Sequence, residues 1–324
     1  MKKALITGVT GQDGAYLSRL LLGEGYRVCG LVRDSTHPDL GNLRALGVQD
    51  RVEIVTVNLL DLSNVIAVLS QQGPQEVYHL AAQSSVGLSF QQPIGTMEFN
   101  VQSTLNLLEA LRIARSAARF YHASSSEMFG RVQALPVTEE TALHPVSPYA
   151  VSKAAAHWAT VNYRESYGLF ACCGILFNHE SALRGGQFVT KKIIAGALAI
   201  SRGALERLSL GDLSVRRDWG YAPHYVRAMW LMLQQDKPDD YVIATGRSHS
   251  LEDFTRLAFA EVGLDWRERV TSDPRLARPS DISDIYGDPA KARRELGWHY
   301  GMEFPELVAR LVAEEQALYR GETL

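Results

Sequence analysis

The chain has 324 residues, of which 46% are apolar and 21% charged, and its formal net charge is −3. That is enough chain for one large α/β unit or two domains, and the composition excludes a disordered or fibrous protein. There is no basic run, so no nucleic-acid partner is expected. No apolar window is long enough to span a membrane, and the apolar run in MKKALITG is too short for a signal peptide. The three cysteines, Cys29, Cys172 and Cys173, fit neither disulfide nor zinc spacing. A reduced, cytoplasmic setting without a metal site is the expectation.

In chain order, ALITG reads as a strand, GVTGQDG as a turn, AYLSRLLLGEG as an amphipathic helix and YRVCGLV as a second strand. Together they make one βαβ unit. Gly8, Gly11 and Gly14 give a G-x-x-G-x-x-G turn, which lets backbone approach a pyrophosphate at the N-terminus of the following helix. The second strand ends Leu31, Val32, Arg33, Asp34. An acidic residue there holds the ribose of NAD, and a cation suits the extra phosphate of NADP. Arg33 favours NADP; the alternative is that Arg33 is a surface cation and Asp34 takes the ribose.

Strands and helices keep alternating through RVEIVTVNLL, LSNVIAVLSQQ, QEVYHLAA, TMEFNVQSTLNLLEALRIA and ARFYHAS. The pattern predicts a Rossmann-type doubly wound parallel sheet, with ligands beyond the carboxyl ends of its strands. Those ends are polar or glycine-rich: GVTGQDG, Arg33, Asn58, AAQSS and SSSE. Ser124, Ser125, Ser126 and Glu127 follow a buried strand directly, either as site residues or as the cap of a following turn. In HPVSPYAVSK, Ser147 and Pro148 start a helix running to about Tyr167, which puts Tyr149 and Lys153 on one face. An ammonium beside a phenol favours the phenolate, so the pair reads as a general acid/base. Trp158, Trp219, Trp230 and Met232 read as core.

Taken together, GxxGxxG, the Ser-Ser-Ser strand end and YxxxK resemble the extended short-chain dehydrogenase/reductase enzymes of nucleotide sugars. GQDG, LAAQSSV, NHES, RGGQFVTKKI, RRDWG and ARPSDI resemble, within that family, the GDP-mannose 4,6-dehydratase branch, and the likeness spans nearly the whole chain. It implies a cycle on bound NADP: C4 oxidation with Tyr149 as base, C5 proton removal by Glu127, loss of water from C6, and hydride return. Ser125 and Lys153 complete the implied catalytic set. Implied cofactor contacts are Gly8, Thr10, Gly11, Gln12, Asp13, Gly14, Arg33, Asn58, Leu59, Leu80, Ala81, Ala82, Ser84, Tyr149, Lys153, His179 and Arg184. Implied contacts to GDP-mannose or a related nucleotide sugar are Ser85, Ser126, Asn178, Val189, Lys192, Arg217 and Arg278.

The branch usually has threonine where this chain has Ser125, aspartate at Asn100, and two arginines where Arg33 stands alone. A GDP-4-keto-6-deoxymannose reductase, another dehydratase or epimerase of the family, and a catalytically silent NADP-binding sensor therefore stay open. The expected domains are residues 1–176, with 214–243 returning to them, and a substrate domain of 177–213 and 244–324. A helix is expected over 219–235. By resemblance the protein is expected to be a homodimer or homotetramer, with the helices near 93–114 and 148–167 pairing across a two-fold axis.

Overall fold

The structure, a computed structural model, describes residues 1–276 and 279–324. Arg278 therefore lies outside the described residues. β1 (Lys3–Thr7), α1 (Gln12–Gly23) and β2 (Arg27–Val32) form the opening βαβ unit. A short α2 (Gly41–Ala45) leads into β3 (Val52–Thr56), α3 (Leu62–Gln72) and β4 (Glu76–His79). Next come α4 (Val86–Gln91), α5 (Pro93–Ile113), β5 (Arg119–Ser125), α6 (Pro148–Tyr167) and β6 (Ala171–Leu176).

After β6 the chain leaves the sheet through β7 (Asn178–Glu180), α7 (Val189–Ser201), β8 (Leu208–Leu210), β9 (Arg216–Arg217) and β10 (Trp219–Tyr221). It returns with α8 (Ala222–Met232) and β11 (Asp240–Ile243). β12 (His249–Ser250), α9 (Leu251–Ala260), α10 (Trp266–Arg269), β13 (Val270–Ser272), α11 (Ala290–Leu296) and α12 (Phe304–Tyr319) follow.

Seven strands form one parallel sheet in the order β11-β6-β5-β4-β1-β2-β3. The order reverses between β1 and β4, and the loops after those two strands splay apart to open a crevice. Both faces are covered, which is why a strand such as ACCGIL is buried at every position. Successive residues feed opposite cores. Ala4, Ile6, Tyr78, Tyr121 and Cys172 pack under α1, α8 and α11, whereas Leu5, Val77, Phe120 and Ala171 pack under α3 and α5. A separate core lies among α7, α9 and α12, around Phe254, Phe259, Leu307 and Leu311. The Trp219 ring stacks on Phe304 there, with centroids 5.9 Å apart.

Two expectations need correction. Residues 219–235 are not one helix, because Trp219–Tyr221 pairs with β7 as a strand and the helix starts at Ala222, with Pro223 in its first turn. Trp158 is not core: it is 58% exposed, on the outward face of α6. Among the described residues no helix is long and apolar enough to cross a membrane.

Candidate active site

Above the carboxyl edge of the sheet lies a cleft of about 1460 Å³. Its floor is the glycine turn. Gly8 has φ +70°, and a Cβ there would sit 2.9 Å from the Ala81 amide nitrogen; one on Gly14 would sit 2.3 Å from the Gly8 carbonyl oxygen. Only glycine fits either place. The Thr7 hydroxyl accepts the Leu80 and Ala81 amides at 3.1 and 3.0 Å, which pins the loop after β4 to the end of β1. Gly11 is the N-cap of α1 and no side chain caps the helix, so its first amides face the cleft beside Thr10, Gln12 and Asp13. This cradle and its uncapped amides fit the pyrophosphate of a dinucleotide.

Arg33 is exposed at the cleft edge and has no ion-pair partner among the described residues. Asp34 turns back on its own loop, its carboxylate accepting the Thr36 amide at 2.7 Å. Asn58, Leu59, Leu80, Ala81, Ala82, Ser84 and Ser85 line the same wall. The side chain of Asn58 accepts the Leu60 amide, and Ser85 caps α4 by accepting the Leu88 amide at 3.2 Å.

β5 ends in the hydroxyl run. Ser125 Oγ accepts the Glu127 amide at 3.3 Å and so caps the single 3-10 turn Ser126–Met128. Capping and lining coincide here, because Ser125, Ser126 and Glu127 all face the cleft. Ser124 also lines the cleft, and its hydroxyl meets His157 Nδ1 at 3.0 Å. Across from them, the Ser147 hydroxyl caps α6 through the Ala150 amide at 3.1 Å and Pro148 fills its first turn, which sets Tyr149 and Lys153 toward the cleft.

The electrostatics differ from the sequence expectation. Lys153 Nζ donates to the Ala123 carbonyl at 2.8 Å. Burial pushes Tyr149 up to about 12, opposed by the Ser125 hydroxyl and reinforced by the Glu127 charge. Burial also takes Lys153 down to about 8.

The far end of the cleft is built from the segment after β6. Asn178, His179, Arg184, Val189, Lys192 and Arg217 all line it. The Arg184 guanidinium carbon lies over Phe188, 3.7 Å from the ring centroid, and its Nε is 3.4 Å from Glu180. Val189 opens α7, whose N-terminus also lacks a side-chain cap. Lys192 donates to the Ser209 carbonyl at 2.8 Å. Arg217 is buried and held at 2.6 Å by Asp281, donating also to the Ile282 carbonyl. The sequence reading missed Glu180, Phe188 and Asp281, which hold these cations in place. Glu180 and Phe188 flank Arg184 in NHES and RGGQF, whereas Asp281 stands in ARPSDI, 64 residues from Arg217, and nothing local pairs the two.

A family model described as GDP-mannose 4,6 dehydratase matches residues 5–311. The chain is 46% identical to GDP-mannose 4,6 dehydratase 2 of Arabidopsis thaliana, over 99% of this chain and 88% of that one. Among solved structures it resembles the dTDP-glucose 4,6-dehydratase of Streptomyces venezuelae with NAD bound: 25% identity, TM-score 0.86, covering 99% of this chain and 98% of that chain. It also resembles a UDP-glucose 4-epimerase of Thermus thermophilus in complex with NAD: 26% identity, TM-score 0.85, covering 97% and 99%. Both share the overall fold described above, and with the family match over nearly its full length the chain belongs to the GDP-mannose 4,6-dehydratase family.

Proposed function

We propose that this protein is a nicotinamide-dependent hydro-lyase that converts GDP-mannose to GDP-4-keto-6-deoxymannose, with NADP as its retained cofactor. The observation that carries the reading is the meeting of Ser125, Glu127, Tyr149 and Lys153 in the cleft that also holds the uncapped α1 N-terminus. When bound, oxidised NADP supplies a hydride acceptor and a positive ring charge that favours the Tyr149 phenolate. Tyr149 takes the proton of the sugar 4-hydroxyl, and Ser125 hydrogen-bonds the 4-oxygen. The 4-keto group acidifies C5, whose proton Glu127 removes and passes to the departing 6-oxygen, so that water leaves; the hydride taken from C4 then returns to C6 and a proton to C5, leaving the nicotinamide oxidised. Ser126 and Ser85 hold the sugar, and Asn178 reaches both the nicotinamide and the substrate phosphates. Val189, Lys192, Arg217 and Arg278 serve the nucleotide diphosphate. Arg33 takes the 2′-phosphate that separates NADP from NAD.

Two further readings accompany this one. Residues 1–176 with 214–243 form the cofactor domain, and 177–213 with 244–324 form the substrate domain, supported by the return of β11 to the sheet and by the separate core around Phe254. The protein is a cytoplasmic homodimer or homotetramer. Its free, buried cysteines support a reducing compartment, and Trp158, Ile94 and Val151, exposed on α5 and α6, support pairing of those helices.

Incubation of the purified protein with GDP-mannose tests the reaction. A 4-keto product without net change in nicotinamide is expected. No turnover of GDP-mannose, together with NADPH oxidation on the 4-keto sugar, would make the protein the reductase instead.

A further inference from the structure

Asp13 and His179 meet although 166 positions separate them in the chain. Both ring nitrogens of His179 are engaged: Nδ1 lies 2.7 Å from the Phe177 carbonyl oxygen and Nε2 lies 2.9 Å from Asp13 Oδ2. A carbonyl oxygen and an ionised carboxylate can only accept, so both nitrogens donate and the ring is an imidazolium. Asp13 is ionised. Burial pushes its carboxyl up, but the His179 charge and hydrogen bond, a hydrogen bond from Gln12 and the Arg184 charge outweigh burial and hold it at about 2. Burial likewise pulls His179 down, and Asp13 more than reverses this, leaving it above its ordinary value.

The surroundings reinforce the pair. His179 is buried and stacks on Tyr225 of α8, with centroids 4.7 Å apart and planes 16° apart, a face that attracts a cation. Gln12 donates to the His179 carbonyl at 3.1 Å and accepts from Ser181 at 2.8 Å. The charged or titratable groups facing the pair are Arg184 from the turn after β7, Tyr225 from α8, Tyr149 and Lys153 from α6, and Tyr121 from β5. Asp13 lies within the glycine turn, where an unneutralised carboxylate would repel an anionic pyrophosphate.

We propose that Asp13 and His179 act as one positioning element, an imidazolium–carboxylate latch that fixes the glycine turn to β7 and makes dinucleotide binding depend on a proton held by His179. The proposal rests on the reading of this cleft as a nicotinamide dinucleotide site, and it adds a condition for loading that site. The latch is fully present below the ordinary histidine value of about 6.5 and is lost as pH rises through the higher folded value. NADPH affinity is then level at low pH and falls above the folded value, with a limiting slope of about tenfold per pH unit. Binding in that upper range takes up a proton.

Three measurements test the latch. Nitrogen NMR of histidine-labelled, ligand-free protein reads the ring directly, with His179 doubly protonated at pH 6 as the expected result and a singly protonated ring as the result that overturns the proposal. NADPH titrations across pH, with calorimetry in buffers of different ionisation enthalpy, read the linkage. His179→Gln is expected to lose about tenfold in affinity at pH 6 and to lose the pH slope, and adding Asp13→Asn to recover most of the affinity. An unchanged pH slope in either variant, with only a lower melting temperature, would mean a merely structural contact and sink the proposal. The NMR measurement uses neither sugar nor cofactor, and the titrations use no sugar, so failure of the dehydratase reading leaves these results distinguishable.

Discussion

The two ends of the cleft are made of different material. The end over α1 is backbone: glycines that admit no Cβ, uncapped helix amides and a loop pinned by Thr7. The end around β7 and α7 is side chain, with Arg184 held by Glu180 and Phe188, and Arg217 by Asp281. Beyond Thr7 and the Asp13–His179 pair, a backbone site depends little on what its side chains are, but it is intolerant of added atoms. A side-chain site tolerates small steric change but depends on ion pairs that must all be present. The chemical groups lie where the two meet, at the ends of β5 and α6.

Substitutions at each end should therefore fail differently. The largest effect is expected at the junction, where Tyr149→Phe should lower turnover of GDP-mannose by ~10²–10⁴-fold with both ligands still bound. Loss of binding in that variant would mean Tyr149 is a structural residue. At the backbone end, Gly14→Ala should weaken NADPH on the order of 100-fold, since its Cβ meets main chain and not a flexible side chain. Normal NADPH titration there would remove the glycine turn from the site. At the side-chain end, Arg217→Gln should raise KM for GDP-mannose about tenfold and leave NADPH affinity alone, as expected for one charge-assisted contact. A parallel loss of NADPH would erase the division. The smallest effect is expected from Arg33→Ala, which should cost NADP several-fold to about tenfold and NAD nothing. Equal loss of both would mean Arg33 does not touch the extra phosphate.

The same division explains what could be read from the sequence. The sheet, the glycine turn and the Ser147–Pro148 helix start follow from patterns confined to a few residues, because backbone geometry is set locally. The β7–α7 end depends on tertiary pairing. Asp281 could not be foreseen as the partner of Arg217, and the donation of Lys153 to the Ala123 carbonyl depends on how α6 docks on β5. The helix expected over 219–235 failed for a related reason: Trp219–Tyr221 is apolar enough for either structure, and the parallel partner Asn178–Glu180 decides for strand. Trp158 was misplaced because an aromatic residue at helical spacing reads as core even on an exposed face.

The most direct measurement is a single turnover of Glu127→Gln with oxidised NADP and GDP-mannose, followed by nicotinamide absorbance and product analysis. Glutamine keeps the size of the carboxylate but cannot remove the C5 proton. If Tyr149 runs the oxidation and Glu127 the elimination, reduced nicotinamide accumulates on the enzyme and no 6-deoxy sugar is released, with the overall rate down ~10²–10⁴-fold. Turnover of GDP-mannose by this variant at nearly the wild-type rate would contradict the account.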